Sequence, residues 1–127
     1  MSATAIAHAP LACIAAARSG ATRWRKDSRL AAVLSEFGYR TCLAYGDDEL
    51  WLDPDAELVV CDLVNPAADL PVQVALAATR GLEVIVLAPD GVTIDGLAAD
   101  LLARCSTTVL RYDGVEPHRV LHARLLH

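Results

Sequence analysis

The chain has 127 residues, 54% of them apolar, with 16 acidic against 11 basic side chains and a formal net charge of −5. That length suits one domain with a real core, and so much apolar content argues against a disordered chain. The acidic balance argues against direct nucleic-acid binding, whose footprint is basic, and no apolar run approaches the length of a membrane span.

Met1–Pro10 reads as a lead-in, and 11–127 as a single domain. No basic residue precedes Leu11–Ala17, so a signal peptide is not expected there. Leu11–Ala17 is a plausible first strand, although its alanines also favour helix. Arg18–Lys26 is a polar connection. Asp27 or Ser28 can cap a helix with Leu30, Val33, Leu34 and Phe37 on one stripe, ended by Gly38 as a left-handed cap. Tyr39–Tyr45 is a second strand. Gly46-Asp47 opens a short helix through Trp51, and Asp53-Pro54-Asp55 is a turn.

Leu58-Val59-Val60-Cys61 then runs straight into Asp62, with Pro66 four places later. A continuous apolar run suits a strand buried on both faces of a parallel sheet. Asp69 and Pro71 begin a helix over Val72–Thr79, closed by Gly81. Leu82–Ala88 is a fourth strand, ended by Pro89-Asp90-Gly91. Ile94, Leu97, Ala98, Leu101 and Leu102 mark an amphipathic helix. Ser106–Leu110 is a fifth strand, and Pro117 starts a last helix through Val120, Leu121 and Leu125. Five alternating strand–helix units imply a doubly wound parallel α/β sheet, (βα)5, of the flavodoxin-like kind.

Chemistry in open α/β sheets sits outside the carboxyl ends of the strands. Asp62 lies at such an end, as a ligand-binding or reactive carboxylate or as the first residue of a loop. His118 and His122 are four apart on the last helix, with His127 at the terminus; a zinc site is weighed there and a solvated or interface face is favoured. Arg23-Trp24-Arg25-Lys26 could neutralise a phosphate-bearing ligand, but a solvated helix entry is the preferred reading. Cys13, Cys42, Cys61 and Cys105 show no C-x-x-C or zinc spacing, so buried, reduced thiols of a cytoplasmic protein are expected.

With Asp62 ending the third strand and Pro66 four later, preceded by Phe37-Gly38-Tyr39 and Asp53-Pro54-Asp55 and followed by Val84-Ile85-Val86-Leu87, the chain resembles the receiver domain of bacterial response regulators, CheY-like proteins of two-component signalling. The resemblance implies strand order 2-1-3-4-5 and a phospho-acceptor position at Asp62. It also implies an acidic pair, a hydroxyl and a lysine around that position. Ala16 and Ala17 stand in place of the acidic pair, Ala88 in place of the hydroxyl, and Arg111 near the lysine. Phosphoryl transfer needs those charges. The expectation is therefore a pseudo-receiver with Asp62 inactive and paired to Arg111 or Arg18, no metal, no cofactor and no catalysis. It would act as a protein-interaction module, docking a partner or a second copy through its last two helices, without membrane or nucleic-acid contact. Its setting would be the N-terminal part of a transcription regulator or of a pilus-assembly ATPase. The alternatives are a phospho-accepting receiver using Asp62 with a degenerate metal site, and a flavodoxin-like domain holding a small molecule in the strand-end crevice.

Overall fold

The computed structural model describes residues 9–16, 21–45, 55–62, 81–91, 93, 99–100, 103 and 106–126, with the backbone alone at 16, 21–27 and 43–45. In chain order these form β1 (Leu11–Ala16), α1 (Ala21–Glu36), β2 (Arg40–Tyr45), β3 (Ala56–Asp62), β4 (Glu83–Pro89), β5 (Ser106–Tyr112) and α2 (Pro117–Leu125). The strands make one sheet in the order β2-β1-β3-β4-β5, and every neighbouring pair is parallel. This is an α/β fold with the expected strand order.

Side chains alternate across a strand, so each run of apolar residues serves two faces. On one face Ala12, Ile14, Leu58, Val60, Ile85 and Leu87 join Leu30, Val33 and Leu34 of α1 and Leu121 of α2 in a single buried cluster. On the other face Cys13, Ala15, Val59, Cys61, Val84, Val86 and Ala88 are buried as well. The central strands are thus dry on both sides, as continuous apolar runs require. β5 is an edge strand, and none of its residues is fully buried.

The helix expected to begin at Asp27 or Ser28 begins at Ala21 instead. Ala21–Lys26 contains good helix formers and no Gly or Pro, so nothing halts the helix there. Its end is as expected. Gly38 has φ +89, Tyr39 N–H donates to the Leu34 carbonyl at 3.1 Å, and Gly38 N–H donates to that of Ser35 at 3.1 Å. This is a Schellman cap, and its left-handed residue suits glycine because no Cβ clashes. β5 runs two residues past the expected Leu110, because Arg111 and Tyr112 still pair with Ala88 and Pro89. α2 starts at Pro117, with Glu116 as its N-cap. Proline suits that place, where its missing N–H costs nothing.

The expected helices over Gly46–Trp51 and Val72–Thr79 lie outside the described residues. Of the one expected around Ile94–Leu102, Ala99, Asp100 and the following Ala103 are α-helical. Among the described residues no helix is long and apolar enough to cross a membrane.

Candidate functional site at the strand ends

β3 delivers five successive buried residues, Leu58 to Asp62, and the last is a carboxylate. Asp62 is 2% exposed, the buried polar side chain in an otherwise apolar core among the described residues. Burying a carboxylate is costly unless donors meet it. Tyr112 supplies one: its hydroxyl donates to Asp62 Oδ1 at 2.8 Å. Tyr112 sits on β5, two strands away, roughly 10 Å across the sheet. The long phenol arm closes that gap over Leu87 and Pro89 of β4, which pair with Asp62 and Tyr112 respectively.

Asp62 also has a topological address. Ala15 pairs with Cys61, so Ala16 ends β1 level with Asp62. From β1 the chain moves outward to β2, and from β3 it moves the other way to β4. Asp62 therefore stands at the switch point of the sheet, the place outside the strand ends where open α/β sheets bind their ligands. Ala16, one of the positions where the receiver pattern would place acid, is the last residue of β1; Ala17 lies outside the described residues. Ala88 is fully buried and carries no hydroxyl.

Tyr112 is a donor to Asp62 that the expectation of Arg111 or Arg18 did not name. Arg111 precedes Tyr112, so strand alternation turns it to the other face, and its Nη1 donates to the Pro89 carbonyl at 3.3 Å. Arg18 is outside the described residues. The tyrosine was missed because its role depends on β5 continuing past Leu110. The sequence signal was its parity: Thr108, Leu110 and Tyr112 share a face.

Beside Tyr112 a cleft of about 410 Å³ opens between the end of β4, the β5–α2 connection and α1, lined among others by Arg29, Asp90, Glu116 and His118. Glu116 accepts from Arg29 Nη1 at 2.6 Å and lies 3.2 Å from His118 Nδ1. Arg29 and Glu116 are more than half exposed and His118 partly so, so the pairs orient the cleft wall more than they stabilise the fold. His122 Nε2 lies 3.5 Å from Glu36, with its ring edge-on to Phe37 at 5.3 Å. His118 and His122 thus each face a glutamate. Among the described residues no group of three or more His, Cys, Asp or Glu could hold a metal ion. His127 is not described, and Arg23, Trp24, Arg25 and Lys26 are placed on α1 by backbone only.

Among the described residues, Cys13, Cys42 and Cys61 are not joined in a disulfide. Cys13 and Cys61 are buried as expected. Cys42 is partly exposed, because β2 is an edge strand. Cys105 lies outside the described residues.

No protein-family model matches the sequence, and no curated protein matches it. Solved structures do resemble the fold. The CMP N-glycosidase BcmB of Clostridium botulinum is 15% identical, with a TM-score of 0.60, over 90% of this chain and 98% of that one. The lysine decarboxylase LdcF of Francisella novicida is 11% identical, with a TM-score of 0.56, over 91% of this chain but 16% of the decarboxylase. At these identities the likeness is one of fold. The first match spans nearly all of the glycosidase chain; the second covers one segment of a much longer protein.

Proposed function

We propose that this chain binds a nucleoside monophosphate or closely related phosphoribosyl compound in the crevice at the strand ends. The observation that carries the reading is the buried Asp62, oriented by Tyr112 at the β1/β3 switch point. A carboxylate can accept from ribose hydroxyls, as an acid elsewhere in the sheet does in dinucleotide-binding α/β folds. The phosphate end fits the start of α1. That helix follows β1 directly, has no acidic residue in its first turn, and carries Arg23, Arg25 and Lys26 early in its length. Backbone N–H groups and the helix dipole favour an anion at such an end. The glycosidase that matches over nearly its full length acts, by its name, on CMP. The full architecture under this reading is the doubly wound (βα)5 sheet, and cysteines outside any disulfide suit the cytoplasm.

Asp62→Asn keeps the size and removes the charge. Calorimetric titration of the wild type with CMP, AMP and ribose 5-phosphate should show saturable binding that Asp62→Asn weakens. The same mixtures, assayed for free base, separate a binding domain from an N-glycosidase. If none of the three compounds binds or raises the melting temperature at millimolar concentration, the reading fails.

A second reading keeps the pseudo-receiver, a signalling module that docks a partner or a second copy through its last elements. It is favoured by one observation: Val109 on β5, Val115 in the β5–α2 connection and Leu126 after α2 are 44%, 47% and 63% exposed. Charge substitutions at these positions should then abolish self-association or partner binding. Incubation with acetyl phosphate and Mg²⁺ should leave Asp62 unmodified, since Ala16, Ala17 and Ala88 supply neither metal ligands nor a hydroxyl. A stoichiometric adduct on Asp62 would restore the phospho-acceptor alternative.

A further inference from the structure

Sequence spacing offers no thiol pair, yet the fold makes one. β1 and β2 are parallel neighbours, and Cys13 is the register partner of Cys42. In-register residues of adjacent strands point to the same face, about 4.8 Å apart. A disulfide needs Cα atoms roughly 4.4–6.8 Å and Cβ atoms roughly 3.5–4.5 Å apart, so this pair meets the first condition and closes by a small approach of the two side chains, whose strain makes the bond easier to reduce. Cys61 shares that face but pairs with Ala15, two residues further along β1. Strand rise puts it roughly 8 Å from Cys13 on the diagonal, past the reach of a bridge. The two members of the pair differ in access. Cys13 is fully buried, while Cys42 is partly exposed on the edge strand.

We propose that Cys13 and Cys42 form a redox-active dithiol, oxidised by hydrogen peroxide to a disulfide that ties the edge strand β2 to β1. Cys42 is the peroxidatic thiol. Its thiolate attacks one peroxide oxygen and becomes sulfenic acid, releasing hydroxide, which takes up the thiol proton to give water. Cys13 then attacks the sulfenic sulfur; the S–S bond forms, the S–O bond breaks and a second water leaves. Two thiols lose two electrons and peroxide gains them. A free dithiol then exchanges with the bridge and restores both thiols. The bond closes a loop containing all of α1, whose start lies at the proposed crevice, but it does not depend on what that crevice binds.

The test uses the full chain, reduced and then treated with hydrogen peroxide under native conditions, with the fold checked by circular dichroism. Intact-mass spectrometry should show the loss of two hydrogens, and peptide mapping should join Cys13 to Cys42. Dithiothreitol should reverse it. Cys61→Ser and Cys105→Ser should form the same bridge, and Cys42→Ser should not. A map that joins any other pair, or a native protein that keeps Cys13 and Cys42 reduced under peroxide that oxidises free cysteine in a parallel sample, would overturn the proposal.

Discussion

Two tyrosines stand at opposite ends of the sheet, each near carboxylates, and they do different things. At the carboxyl end Tyr112 donates a 2.8 Å hydrogen bond to Asp62, which is buried. At the amino end Tyr39 precedes β2, close enough to Glu83 and Glu57 to feel their charge; both glutamates are exposed. Burial first, then Glu83 and Glu57, push the Tyr39 phenol above its ordinary value of 10.0. A carboxylate in water needs nothing from a tyrosine and acts only through its field. A carboxylate out of water needs a donor, so geometry is built around it. The strand-end crevice is therefore the organised end of this molecule.

The sharpest way to break that comparison is Asp62→Asn. We expect roughly ten- to hundredfold weaker binding of a nucleoside monophosphate, as for loss of a hydrogen bond to a charged group. Unchanged affinity by calorimetry would remove Asp62 from the site. Tyr112→Phe comes next. It takes a donor from a buried acceptor, at a cost of about 1–2 kcal/mol, read from urea unfolding; a variant as stable as the wild type would show that the hydrogen bond is idle. Gly38→Ala forces a left-handed Cβ at φ +89 where space is open, so the cost is backbone alone, about 1 kcal/mol. Tyr39→Phe should be smallest, within about 0.5 kcal/mol at neutral pH.

Tyr39 also makes a pH-dependent prediction. Its folded pKa is raised, so the folded state holds the proton longer than the unfolded one. The contribution is fully present below the unfolded value of 10.0 and is lost as pH rises through the folded value. Denaturation at alkaline pH should show Tyr39→Phe losing less stability than wild type over that window. Equal losses would place the effect elsewhere.

Much of the fold was legible because it rests on local signals. The run Leu58–Cys61 before Asp62 marked a strand dry on both faces, and both faces are buried. Gly38 marked the end of α1, and Pro117 the start of α2. The start of α1 was not legible. Asp27 and Ser28 are good caps in isolation, but a helix already running from Ala21 has no use for them. The end of β5 was harder to read, since Arg111 breaks the apolar run and the last two residues are held in the strand by their pairing with β4.

By itself the sequence determined the period of burial, the punctuation of the elements and the presence of one carboxylate at the end of an apolar strand. These follow from side-chain chemistry within a few residues. Only the tertiary structure decided that Tyr112 meets Asp62 and that Cys13 lies beside Cys42. Both are pairings between strands far apart in the chain, and their register is fixed by backbone hydrogen bonding across the whole sheet, which spacing along the sequence does not encode.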